Sequence, residues 1–169
     1  AIEFSRPDTA YSNIMQCFEV GLPVVCGTTA WLDQYDSVVQ HCLEHQNAFF
    51  YASNFSIGVN IFFEINKRLA RLMNRQPNYK VSVEEIHHIH KLDAPSGTAV
   101  TIAEDIIESL DDYQYYSLST AETAATTLAI TAKRIADTPG THVVHYDSTI
   151  DSLEIKHAAK GRTGFAQGA

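Results

Sequence analysis

The sequence predicts an α/β protein in two parts: a partial parallel sheet with covering helices over residues 1–53, and an α+β domain with a mixed four-stranded sheet over residues 54–160. Two observations predict it. Short, nearly continuous apolar strand patterns alternate with helical spacing at the start of the chain, which is how a parallel sheet covered on both faces reads. Beyond them come two helical stretches and four strand patterns, three of them consecutive at the end, which suggests a mixed or antiparallel sheet with helices on one face.

Composition sets the bounds. The chain has 169 residues, 45% of them apolar, enough for one medium core or two small ones. Twelve Lys and Arg against twenty Asp and Glu give a net charge of −8, so no broad basic surface is expected for nucleic acid or an acidic membrane. No apolar run reaches the roughly 20 residues of a membrane span, and the start of the chain lacks signal-peptide character, so a cytoplasmic protein is expected. Cys17, Cys26 and Cys42 lack metal-ligand or paired spacing and are expected as free thiols.

Taken in order, residues 1–5 are a short strand pattern, Arg6-Pro7-Asp8-Thr9 is turn chemistry, and residues 10–20 carry helical spacing that stops at Gly21. Residues 22–27 read as a buried strand. Thr28 and Thr29 are placed to cap a helix over 31–45 with Val38, Val39, Cys42 and Leu43 inward. Residues 48–52 make a third strand, and the polar Ser53-Asn54-Phe55-Ser56 links it to a long helix over 58–74, whose inner face is read as Val59, Phe62, Phe63, Ile65, Leu69 and Leu72. A strand over 79–91, with Val81, Val83 and Glu85 on one face, is followed by a loop at 93–97 and a helix from about Thr98. Residues 111–124 are polar with tyrosines and carry no clear pattern. Strand patterns at 127–135, 142–149 and 152–157 close the domain.

Chemistry concentrates in His87-His88-Ile89-His90-Lys91-Leu92-Asp93-Ala94-Pro95-Ser96-Gly97-Thr98. The strand is read as running through Lys91, so alternation puts His87, Ile89 and Lys91 on one face and His88 and His90 on the other. An imidazole and an ammonium would then share a face, one able to supply a proton near neutrality and the other to hold a carboxylate. Pro95-Ser96-Gly97-Thr98 opens a helix, whose first amides can meet an anion, although Ser96 or Thr98 would serve equally as an ordinary N-cap. His88 and His90 are two possible metal ligands without a third, and no metal is expected. Ser96 lacks the Gly-x-Ser-x-Gly elbow of a serine hydrolase. Gly27-Thr28-Thr29 lies at a strand C-terminus, where a parallel sheet binds its ligands, or is simply a strand-to-helix turn.

Four segments together resemble the dihydrodipicolinate reductase family: Gly27-Thr28-Thr29, Ala52-Ser53-Asn54-Phe55-Ser56-Ile57-Gly58-Val59-Asn60, the His87 to Ala99 run, and the closing Ile155-Lys156-His157-Ala158-Ala159-Lys160-Gly161-Arg162-Thr163-Gly164-Phe165-Ala166-Gln167-Gly168-Ala169. The resemblance implies a partial Rossmann-like dinucleotide-binding domain over 1–53, a substrate and oligomerisation domain over 54–160, and a return segment over 161–169. It also implies reduction of a small cyclic dicarboxylate with NADH or NADPH in lysine and diaminopimelate biosynthesis, by a homotetramer. Residue by residue, His87 matches the family's proton donor and Lys91 its second catalytic residue. His88, Gly97 and Thr98 match substrate-binding positions, while Gly27, Thr28, Thr29, Ala52, Ser53, Asn54 and Phe55 match cofactor-contacting turns. The chain has no Gly-x-Gly-x-x-Gly, so the resemblance is to a fragment without the N-terminal phosphate turn and the C-terminal end. The alternative function is a carboxylate-binding module, or an inactive fragment, that keeps the pocket without hydride transfer.

Overall fold

The computed structural model describes residues 1–119 and 124–169 and divides into two compact units, Ala1–Phe55 with Phe165–Ala169, and Ser56–Gly164. The unread stretch at 111–124 thus lies partly outside the described residues.

In the first unit, β1 (Ile2–Glu3), β2 (Val24–Cys26) and β3 (Phe49–Tyr51) form a parallel sheet in that order, with Ile2 opposite Val25 and Val24 opposite Phe49. Helix α1 (Pro7–Glu19) begins with proline, whose missing N–H costs nothing in a first turn, and buries Ala10, Ile14 and Phe18 at a four-residue spacing. Gly21, at φ 70°, turns the chain into β2. The helix expected over 31–45 is instead a 3₁₀ turn (Leu32–Gln34) followed by α2 (Tyr35–Glu44), and neither has a side-chain cap. Thr28 and Thr29 do not cap it because a left-handed turn at Ala30 separates them from it. Val38 is buried, but Leu43 is 75% exposed, since α2 turns an inner face of Tyr35, Val38 and Cys42 toward the core that holds Trp31. Helix α5 (Thr163–Gly168) ends the chain.

The second unit is larger and carries a continuous core. Helix α3 (Ile57–Met73), β4 (Lys80–His87), α4 (Gly97–Ile107), β5 (Tyr115–Leu118), β6 (Thr127–Arg134), β7 (Thr141–Asp147) and β8 (Ser152–Ala158) follow in sequence. The sheet has five strands in the order β5-β6-β4-β7-β8, one more than expected, because the unread segment contributes the edge strand β5. β4 runs parallel to β6 and antiparallel to β7. A parallel pair needs a crossover, and α4 lies within it. Val81, Val83, Leu128, Ile130, Val144 and Tyr146 pack against Val59, Phe62 and Phe63 of α3 and Ile102 and Ile106 of α4. The inner face of α3 is not quite the expected one. Ile65 and Leu72 are exposed, whereas Asn66 is fully buried and donates from Nδ2 to the Ile102 carbonyl at 3.2 Å.

Candidate active site

β4 ends at His87, four residues before Lys91, so the alternation expected for His87 through Lys91 does not hold. The ladder stops because β6 and β7 run out beside it: Ile135 N donates to the His87 carbonyl at 2.8 Å, and the chain then turns, with Lys91 N donating to the His88 carbonyl at 3.1 Å. His87 therefore belongs to the rigid sheet, and His88, His90 and Lys91 to a turn beyond it.

Beneath His87 lies a buried polar network. Glu85, two residues back on the same face, is completely buried in a row that is otherwise Val81 and Val83. Its Oε2 accepts from the Ser96 amide at 3.1 Å and lies 3.3 Å from His87 Nδ1, close enough for charge attraction though off the hydrogen-bond axis. Its Oε1 lies 3.2 Å from Arg134 Nη2. Burial pushes the Glu85 carboxyl up, but His87 and Ser96 outweigh it and hold the group down at about 2, so it is an anion at neutral pH.

His142, directly across the ladder from Glu85 on β7, sits with Nε2 3.2 Å from Ser96 Oγ and its ring in an edge contact 5.1 Å from that of His87. Burial and the neighbouring His87 push it down to about 3, against the pull of Glu85, so it is neutral. Ser96 is the N-cap of α4, its hydroxyl accepting from Ala99 N at 3.2 Å, and it sets Gly97 and Thr98 in the first turn. The other edge of the His87 ring faces Gly140, where a Cβ would stand 3.2 Å from Nε2 and where φ is 149°, so only glycine fits.

Lys91 is held within its own loop, its Nζ 2.7 and 2.8 Å from the two carboxylate oxygens of Asp93. His88 has a buried Nδ1 without a hydrogen-bond partner and is pushed down by burial and by the Arg162 charge. His88 and His90 approach each other with ring centroids 6.2 Å apart. Among the described residues the trio with metal-ligand spacing is a different one: Glu85, His87 and His142 hold their ligating atoms within 4.8 Å of one another. Arg134 and the Ser96 amide already engage that carboxylate.

In the first unit the two turns expected to meet a cofactor are neighbours. Ala52 N donates to the Cys26 carbonyl at 3.2 Å, so Gly27-Thr28-Thr29 and Ala52-Ser53-Asn54-Phe55 leave the C-terminal ends of adjacent parallel strands. Thr28 Oγ1 is buried beside the Glu3 carboxylate without an aligned hydrogen bond, a polar atom that a nucleotide could satisfy. Phe55 packs on Phe4 and Phe50 at 5.3 and 5.8 Å between ring centroids.

Glu85, Arg134 and His142 were absent from the sequence-level site. Glu85 had a local signal, a carboxylate in the apolar row of β4. Arg134 and His142 had none, because only pairing with β4 brings them there.

The N-terminal family model, described as dihydrodipicolinate reductase, N-terminus, matches residues 1–55, and the C-terminal model of the same reductase matches residues 58–169. A 4-hydroxy-tetrahydrodipicolinate reductase of Christiangramia forsetii is 50% identical over the whole chain, which spans 70% of that protein. A dipicolinate-bound dihydrodipicolinate reductase from Paenisporosarcina sp. TG-14 shares the fold at a TM-score of 0.69 and 23% identity, over 99% of this chain and 64% of that one.

Proposed function

This chain belongs to the dihydrodipicolinate reductase family, and from that premise we propose that it supplies the substrate half and the nicotinamide-facing turns of an enzyme reducing 4-hydroxy-tetrahydrodipicolinate to tetrahydrodipicolinate. The family is an NADH- or NADPH-dependent oxidoreductase of lysine and diaminopimelate biosynthesis. Bound reduced nicotinamide supplies the hydride, with Gly27-Thr28-Thr29 and Ala52-Ser53-Asn54-Phe55 as the turns that would hold it.

His87 is the proposed proton donor. As an imidazolium it gives up the proton on Nε2, the ring edge beside Gly140, and the neutral ring left behind keeps its proton on Nδ1, against ionised Glu85. Lys91 is the proposed carboxylate-binding cation, exchanging Asp93 for a carboxylate of the substrate. His88 and the first-turn amides of Gly97 and Thr98 complete the dicarboxylate contacts. One observation carries this reading: a histidine at the end of a rigid strand is backed by a buried carboxylate, next to a lysine loop and a helix N-terminus.

The closing assay follows NADH oxidation with the cyclic dicarboxylate. It is run on this chain alone and on the chain joined to a Gly-rich nucleotide-binding strand, turn and helix of the family. Oxidation by the joined protein is expected; dicarboxylate binding without oxidation in both forms would instead identify a carboxylate-binding module.

We also propose a homotetramer in the cytoplasm. No helix among the described residues is long and apolar enough to cross a membrane. The sheet face opposite α3 and α4 carries the Glu84–Lys133 and His145–Glu154 ion pairs, suited to a polar subunit interface. Light scattering coupled to gel filtration reads the assembly, and a monomer would remove that part of the reading.

A further inference from the structure

We infer that Arg134 is a positioning residue that locks the proposed acid and the proposed cation to one another, an inference that rests on the roles given above to His87 and Lys91. Arg134 lies on β6, paired with His87 across the ladder, and touches neither reacting group. Its guanidinium spans both of their supports. Nη2 lies 3.2 Å from Glu85 Oε1 and donates to the Asp93 carbonyl at 2.6 Å, while Nε donates to the Lys91 carbonyl at 3.3 Å. Nη1 is turned back to the Lys133 carbonyl at 2.9 Å, which fixes the plane of the fork on its own strand.

The consequence is mechanical. Glu85, anchored by Arg134 on one oxygen, presents the other to the Ser96 amide and to His87 Nδ1. The carbonyls of Lys91 and Asp93, on either side of Leu92, are anchored to the same cation, so the Lys91–Asp93 pair cannot drift relative to the strand that carries His87. Neutralising a buried carboxylate would require only a positive charge, which lysine could provide. Bridging one carboxylate and two loop carbonyls requires several donors in fixed directions, which only arginine has. Leu92 supplies no competing anchor, since it is 97% exposed.

The test uses the 169-residue chain, with pyridine-2,6-dicarboxylate as the probe. Calorimetry reads its binding, and histidine ring ¹⁵N spectra read where His87 carries its proton. Arg134→Ala should weaken binding on the order of tenfold and take the His87 ring proton off Nδ1, and millimolar guanidinium should restore both. Arg134→Lys should restore neither. Glu85→Gln should move the ring proton while leaving dicarboxylate affinity within about threefold, because it leaves the loop carbonyls anchored. Full recovery by Arg134→Lys would reduce the residue to a counter-charge and overturn the inference. So would an Arg134→Ala protein with unchanged affinity and ring spectrum. Lys91→Ala separates the two levels: if it leaves affinity unchanged, the role of Lys91 fails first; if it weakens binding and Arg134→Ala does not, only the positioning role fails. Should Arg134→Ala not fold, Arg134→Lys and Glu85→Gln still decide.

Discussion

The two sheets of this chain differ in what they can hold in place. The parallel sheet of the first unit has strands of two and three residues, and exposes Ile2 and Phe50 at 72% and 59%. Its proposed ligand turns act through backbone groups and small side chains, for which correct register at the strand ends suffices. The sheet of the second unit has eight-residue central strands over a continuous core, and there the proposed chemistry uses side chains. Keeping an ionised carboxylate fully buried behind an imidazole needs a wall that water cannot enter and partners for every lone pair. Long ladders with two covering helices provide that wall.

The contrast can be broken in four ways, from the largest expected effect to the smallest. Replacing His87 by Gln, in the chain joined to a nucleotide-binding segment, should cut kcat by about 10² to 10⁴ while dicarboxylate affinity changes little. Unchanged turnover in the coupled NADH assay would remove the residue from the chemistry. Second, Ile130→Ala, fully buried in the large core, should cost about 2 to 5 kcal/mol by urea denaturation, whereas Ile2→Ala on the small sheet's edge should stay within about 0.5 kcal/mol. Equal costs would show that the edge is covered in solution.

Third, two glycines separate side-chain from backbone demands. At Gly140 a methyl meets both a φ of 149° and the His87 ring, so Gly140→Ala should cost about 1 to 3 kcal/mol and lower turnover. At Gly27 the obstacle is the Phe4 ring, 48% exposed and able to swing away, so Gly27→Ala should cost about 1 kcal/mol, chiefly in the ring's contact with Phe55. Thermal melting ranks the two.

The smallest effect near neutrality is the pH dependence. His142 is held at about 3 against an ordinary 6.5, so only the unfolded chain takes up its proton between those values; stability is lost as pH falls from 6.5 toward 3. Glu85, held at about 2 against an ordinary 4.5, contributes fully above 4.5 and loses its contribution as pH falls from there toward 2. The melting temperature should therefore begin to fall below about pH 6.5, in the imidazole range, and His142→Gln should make that first fall shallower, the part left coming from His88 and His157, which are also pushed down. An equally steep fall in His142→Gln would show that His142 does not contribute to it.

Much of this was legible from local pattern. β–α alternation in the first unit, the long helix α3, the helix start at Ser96 to Thr98 and the three closing strands all follow from side-chain spacing over a dozen residues or fewer. The misreadings occur where a neighbour overrides spacing. β4 stops at His87 because its ladder partners leave, so Lys91 reaches the site from a turn. Residues 115–118 become a strand only because β6 offers them an edge. Leu43 and Leu72, apolar and in phase with a helical stripe, face outward because nothing lies opposite them.

By itself, then, the sequence determined most of the elements, which family the chain resembles, and the proposed placing of the chemistry at His87, Lys91 and the Ser96-Gly97-Thr98 helix start. All of these depend on residues close together along the chain. Only the tertiary structure decided what stands behind the proposed acid. Glu85, Arg134 and His142 come from three strands and meet through ladder pairing across tens of residues. The charge states of Glu85 and His142 follow from burial set against the neighbours that the fold brings to them, which no single segment possesses.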